Sequence, residues 1–348
     1  MSYKLGATCL KASTIALFLL FFQALNAQKV LPSIVPFIEQ RSTRFGTDFT
    51  VAVVTKDTIA FQKEWGAMKA KTVAPLGSSS GWLTAALFMQ FVDEGKLSLD
   101  DKVVKYLPVF EKYGKNYITL RHCLAHLTGI QADGKLKHLL ASKKFSTLDE
   151  EVNHFAANEI ETNPGTAFTY NEIGMSIAGR VLEVVSKKRF DLLIKQKLLT
   201  PLGMRQTSFT SVDGTAPDPF AGGRTTATDY MAFLKMLLNN GRYNGQQVLS
   251  EAAVMQLRTI QTTNVPLHSI PKEAAGFAYT LGAWSLESNS TNVTVLASPN
   301  FTGTWPVVDF CRGYALLLFT KNTIDDQKGE HYADLKKLID QSFTNACR

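Results

Sequence analysis

The chain predicts an α+β fold: one antiparallel sheet built from both ends of the sequence, with a helical lobe supplied by its middle. Three observations carry this. Strand-like runs occur only near residues 49–61 and again between 277 and 320. The stretch from about 78 to 260 has helical apolar spacing punctuated by glycine stops. Further helical segments lie outside the strands at both extremities, placed to cover one face of the sheet. With 348 residues, 45% of them hydrophobic, the chain can bury a core of this kind. Its 19% charged content excludes a disordered or collagen-like chain. The formal charge of +7 is spread without a run of like charges, which speaks against a nucleic-acid partner.

Residues 1–27 read as a signal peptide. Lys4 and Lys11 give a positive start, the run Ile15 to Phe22 is unbroken and apolar, and Leu25-Asn26-Ala27 offers a cleavage point before Gln28. The run is short for a membrane span, so no stable span is expected after cleavage, and the expected location is secreted or periplasmic. The remaining 28–348 form one domain with a sheet lobe (about 28–77 and 261–348) and a helical lobe (about 78–260). Residues 30–41 read as an amphipathic helix, Phe49 to Val54 and Thr58 to Phe61 as paired strands. Ser79 to Val92, Asn171 to Val185 and Asp229 to Leu238 read as helices, the first stopped by Gly95 and the third by Gly241. Phe277 to Leu286, Asn292 to Ala297, Pro306 to Phe310 and Tyr314 to Thr320 read as strands, and Tyr332 to Phe343 as the last helix. Removal of residues 1–27 leaves Cys123, Cys311 and Cys347. The odd number leaves a thiol unpaired, and a Cys311–Cys347 bridge is compatible with the chain without being required by it.

Several segments then occur in a telling order. Ser78-Ser79-Ser80-Gly81 opens a helix that ends in Asp93-Glu94-Gly95-Lys96-Leu97. Ile118 to Gly129 follows, with His122 and His126. Next come Asn163-Pro164-Gly165 with Phe168 and Tyr170, Pro201-Leu202-Gly203-Met204, Gly222-Gly223, and Ser298 to Gly303 before a C-terminal strand pair. Together they resemble the serine β-lactamase-like family of class C β-lactamases, DD-peptidases and related esterases. The resemblance implies a β-lactamase/transpeptidase-like fold with its site between the lobes. In that family a serine at a helix tip attacks an acyl carbon, and the helix end stabilises the developing charge. A lysine one turn on (S-x-x-K) and a tyrosine (Y-x-N) handle the serine proton.

Carried over residue by residue, the resemblance makes Ser78 the nucleophile position and Tyr170 the general base or acid. The lysine position is Gly81, and no register of the three serines restores S-x-x-K. Loss of a general base removes roughly 10²–10⁴ in rate. Gly81 is expected to leave a side-chain-sized space beside Ser78. Tyr170 is followed by Asn171 and Glu172, and Glu172, two residues on, is a candidate substitute base or else a carboxylate at the start of a helix. The third motif, K-T-G or H-x-G in the family, reads Ser298-Pro299-Asn300. Ser298, Asn300, Phe301 and Gly303 are the expected substrate-binding positions.

His122 and His126 share a helical face, but no third ligand stands at zinc spacing, so no metal is expected. No P-loop or G-x-G-x-x-G pattern is present, so no cofactor is expected either. Two functions follow. One is an exported serine hydrolase acting on an ester, amide or peptide through Ser78. The other is a non-catalytic relative that binds a cell-wall peptide, an acyl ligand or a protein partner.

Overall fold

The architecture was described from a computed structural model, which covers residues 31–133, 145–271, 274–289, 292–300, 303–321 and 328–347. The signal-peptide reading of residues 1–27 and the assignment of Phe301 lie outside these described residues.

Seven strands form one antiparallel sheet: β1 (Phe49–Thr55), β2 (Ile59–Trp65), β3 (Ala278–Tyr279), β4 (Trp284–Ser288), β5 (Val293–Ala297), β6 (Trp305–Asp309) and β7 (Tyr314–Thr320). The spatial order is β2-β1-β7-β6-β5-β4-β3, so the two ends of the chain meet at the centre, where Phe49 to Thr55 pairs residue for residue with Thr320 to Tyr314. The period of two explains why these central strands are apolar throughout. Phe49, Val51 and Val53 pack into one core, with Tyr314, Leu316 and Leu318 beside them, while Ala52, Val54, Ala315, Leu317 and Phe319 pack into another.

The outer core is closed by α1 (Leu31–Glu39) and α7 (Lys328–Asp340), which place Ile34, Ile38, Tyr332, Leu335 and Ile339 on the sheet. The inner core is larger and continuous with the helical lobe, whose main members are α2 (Ser80–Asp93), α3 (Leu120–Leu124), α4 (Leu148–Ala157), α5 (Ile173–Ser186) and α6 (Ala227–Leu238). Helix α2 is buried almost all round, with Trp82 edge-on to Phe233 at 5.6 Å. That is why its apolar residues show no one-sided stripe. Helix α6 starts at Thr226, whose side chain accepts from the Asp229 backbone N–H.

One expectation needs correction. The run Phe277 to Leu286 is not a single strand but β3 and β4, joined by a turn at Gly282. Gly282 has φ +82°, and a Cβ there would come within 2.8 Å of the Ala85 methyl and 3.0 Å of the Gly81 carbonyl. The turn therefore serves both to reverse the chain and to let it lie against α2. Gly282 was the one mark of the break in the run, and the buried residues on either side of it read as one continuous strand. The cysteine question is settled: Cys311 and Cys347 are bridged, tying the C-terminal tail to the β6–β7 turn, and Cys123 is a buried free thiol. Among the described residues no helix is long and apolar enough to cross a membrane.

Candidate active site

Ser78 sits in a single 3-10 turn, Gly77–Ser79, that runs directly into α2. Gly77 has φ +58°, which turns the chain into the helix. The three consecutive serines have different partners. Ser80 Oγ donates to the Gly77 carbonyl at 2.6 Å and accepts from the Gly223 N–H at 3.0 Å. Ser79 Oγ donates to the Ser298 carbonyl, and its own carbonyl accepts from the Tyr230 hydroxyl at 3.1 Å. These two are fully buried and knit the turn to its surroundings. Ser78, at 5% exposure, is the one with residual access, and its Oγ donates to the Pro299 carbonyl at 3.4 Å.

The third-motif segment is thus the wall against which the serine turn rests. Asn300 is buried. Its amide N–H donates to the Leu76 carbonyl and its Oδ1 accepts from the Thr304 N–H at 3.0 Å, so it clamps the segment before Ser78 to the strand after it. Ser298 is 1% exposed, with its hydroxyl donating to the Gly282 carbonyl at 3.4 Å. Gly303 offers its carbonyl to the Tyr332 hydroxyl at 2.8 Å. The side chain of Ser298, that of Asn300 and the carbonyl of Gly303 therefore meet other protein groups.

Tyr170 arrives from the other lobe. The turn at Asn163-Pro164-Gly165 is anchored by the Gly165 N–H donating to the Leu127 carbonyl at 2.9 Å. The short strand Phe168–Thr169 then pairs in parallel with Leu267–Ser269, and the Tyr170 N–H donates to the Ser269 carbonyl at 2.9 Å. The Tyr170 ring is enclosed by aromatic neighbours: His126 at 4.7 Å, Phe220 at 5.2 Å and Trp284 at 5.4 Å between centroids. Burial drives the phenol pKa upward. The nearby Ser78 hydroxyl and Trp284 indole draw it back only in part, and the net result is a rise to about 12. Ser78 and Tyr170 are therefore brought together, as the motif order implied.

Among the described residues no lysine or arginine is hydrogen-bonded to Ser78 or Tyr170. A Cβ placed on Gly81 would meet the Met175 methyl at 3.6 Å and the Phe220 ring at 3.7 Å. The third nearest atom is the Phe220 carbonyl oxygen at 3.8 Å, so a methyl at this position would fit at ordinary contact distances and no charged side chain stands beside it. His126 is buried, with Nε2 3.1 Å from the Tyr279 hydroxyl, and burial lowers its pKa to about 3, so the imidazole is neutral. His122 takes a structural part at the start of α3, its Nδ1 accepting from the Thr119 N–H in a reciprocal cap.

Glu172 occupies the position before α5 and is not hydrogen-bonded to Ser78 or Tyr170. It lies near Glu151, whose carboxyl is pushed up to about 7 by burial, by Asp218 and by Glu172 itself. The residues that shape the Ser78 surroundings without any motif signal are Met175, Phe220 and Trp284. Only Phe220 had a signal nearby, just ahead of Gly222-Gly223.

Comparison with known proteins agrees with this geometry. The profile described as "Beta-lactamase" matches residues 22–341. Penicillin-binding protein 4 of Amycolatopsis lactamdurans is 30% identical over 223 residues, which are 55% of this chain and 58% of that protein. Protein flp of Staphylococcus aureus is 28% identical over 137 residues, 38% of this chain and 27% of its own length. The chain thus spans little more than half of the first curated relative and about a quarter of the second. Among solved structures, a beta-lactamase candidate of Bacteroides dorei DSM 17855 superposes with a TM-score of 0.77 at 26% identity, covering 89% of this chain and 98% of that one. EstCE1, a hydrolase with promiscuous acyltransferase activity, shares the fold at a TM-score of 0.73 and 17% identity, covering 91% and 99%.

Proposed function

Because the chain belongs to the beta-lactamase family, with its α+β β-lactamase/transpeptidase-like fold, we propose that it keeps the family's acyl-recognition site but not the hydrolytic step, and acts by binding an acyl or peptide ligand outside the cytoplasm. The observation that carries this is position 81. Where the S-x-x-K pattern puts an ammonium, this chain has a glycine faced by the Met175 methyl and the Phe220 ring.

The chemical consequence follows directly. An attacking serine must lose its proton as the C–O bond forms, and that proton needs an acceptor near neutral pKa. Tyr170, at about 12, holds its own proton at pH 7. His126 is neutral but faces Tyr279. The partner Ser78 does have, the Pro299 carbonyl, accepts a hydrogen bond but does not take a proton. The same features suit binding: a hydroxyl at a helix tip and an aromatic wall. Export is supported by the signal-like residues 1–27 and by the Cys311–Cys347 bridge, which belongs to an oxidising compartment. N-terminal sequencing of the mature protein checks it, with Gln28 as the expected first residue.

The test of function is intact mass after incubation with a fluorophosphonate and, separately, with a penicillin. The expected result is no adduct on the natural chain. A stoichiometric adduct that disappears in Ser78→Ala, together with ester or lactam turnover, overturns the proposal and returns the site to hydrolysis.

A further inference from the structure

A cavity borders Pro299, whose carbonyl accepts from Ser78, on the side facing α7. It has a volume of about 290 Å³ and is lined by residues of α7, β4 and β6 together with Phe277 and Pro299. Its walls are Phe277, Trp284, Leu286, Trp305 and Tyr332, with Trp305 and Tyr332 stacked at 5.0 Å. Neither Ser78, Tyr170 nor Gly81 lines it. The volume sits at the lower end of the roughly 300–1,000 Å³ typical of small-molecule sites.

Four charged side chains stand around this cavity: Glu287, Lys336, Lys337 and Asp340. Three are committed to one another. Lys336 Nζ lies 2.6 Å from Glu287 and 2.9 Å from Asp340, and Arg312 lies 3.0 Å from Glu287. Lys337 is exposed and has no hydrogen-bonding or ionic partner among the described residues. A chamber with aromatic walls and one unpaired ammonium is complementary to a small molecule with an apolar body and a single negative end. We propose that this cavity is a binding site for a small alkyl or aryl carboxylate, whose apolar part enters between Leu286, Trp305 and Tyr332 and whose carboxylate pairs with Lys337.

This inference is independent of whether Ser78 is catalytic. Its test is calorimetric titration of the full mature chain with octanoate, 1-octanol and octylamine, with tryptophan fluorescence as a second reading because two of the four tryptophans line the cavity. Octanoate is expected to bind saturably at one site. Lys337→Glu is expected to weaken octanoate about tenfold and leave 1-octanol unchanged, because only a rim charge is reversed. Ala333→Phe, an exposed α7 position facing the cavity, is expected to abolish both by filling the space, with the thermal midpoint unchanged. The absence of saturable octanoate binding overturns the proposal. So does equal or tighter binding of octylamine, or octanoate affinity that ignores both substitutions.

Discussion

The outer face of the sheet and the Ser78 site treat charge in opposite ways. Outside, Glu287, Asp309, Arg312, Lys336 and Asp340 form a compact ionic cluster under α7. Asp309 is wholly buried, 2.7 Å from Arg312 and 3.3 Å from Lys336, while Oδ1 accepts from the Cys311 and Arg312 N–H groups. Burial alone would lower the pKa of Lys336, but its hydrogen bonds to Glu287 and Asp340 more than reverse this and raise it. At the site, nothing opposes burial strongly enough. It pushes Tyr170 up and His126 down, so both are neutral. The chain therefore tolerates buried charge where each ion has partners, and has none where the family places its working lysine. Around Ser78 the titratable neighbours Tyr170 and His126 are thus held neutral by burial, as in a protein core.

The strongest way to break this contrast is at Asp309. Asp309→Ala leaves Arg312 and Lys336 short of a buried partner and strips two backbone N–H groups of their acceptor. The expected loss is about 3–5 kcal/mol of stability, measured by urea denaturation. A loss below about 1 kcal/mol, the range of an exposed pair, would mean that the cluster is solvated and the contrast is false.

The disulfide beside this cluster comes next. Cys311 and Cys347 are 36 residues apart in sequence. Replacing both by serine is expected to cost about 2–4 kcal/mol, through the freedom regained by the unfolded chain. Reducing agent should reproduce the shift in the natural protein and leave the double variant unmoved. A midpoint insensitive to reductant would show that the tail is held by α7 alone.

His126 tests the other side of the comparison through pH. Its folded pKa of about 3 lies below the ordinary 6.5, so above pH 6.5 it is neutral in both states and contributes no pH dependence. As pH falls below 6.5 the unfolded chain takes up a proton that the folded chain refuses, and stability is lost. By pH 5 the loss is on the order of 2 kcal/mol. His126→Asn should flatten that limb. Asparagine suits the left-handed backbone at this position, φ +56°. An unchanged slope between pH 6.5 and 5 would mean that the imidazole titrates freely and the site is wet.

Much of this contrast could be read in the sequence, and the part that could not has a definite cause. Strand β7 and helix α2 were visible because a buried strand or helix of ordinary length is written in contiguous residues. The meeting of Ser78 and Tyr170 was visible through motif order, and so was the glycine at position 81. What packs around that glycine was not. Met175 and Phe220 come from separate segments of the helical lobe, and Trp284 comes from a strand beyond the Gly282 turn, inside a run that reads as one strand. The clamp made by Asn300 was equally silent, since an asparagine in a loop reads the same whether it faces a ligand or fastens two backbone segments. The ionic cluster had no signature either, because its five members are spread over more than fifty residues and meet only when α7 folds onto the sheet.

The smallest expected effect falls at Gly81. A glycine in the first turns of a helix costs up to about 1 kcal/mol relative to alanine, because the unfolded chain has more conformations to lose. A methyl here would meet Met175 and Phe220 at 3.6–3.7 Å, ordinary contact distances, so alanine fits without displacing anything. Gly81→Ala should therefore raise stability by a few tenths to about 1 kcal/mol, in urea denaturation at pH 7. Gly81→Lys should do the reverse, because it adds a long charged side chain at a buried position of the helix. If lysine instead proves as well tolerated as alanine, the surroundings give way easily. The site would then be a catalytic centre lacking a single residue, and the contrast with the outer face would reduce to one substitution.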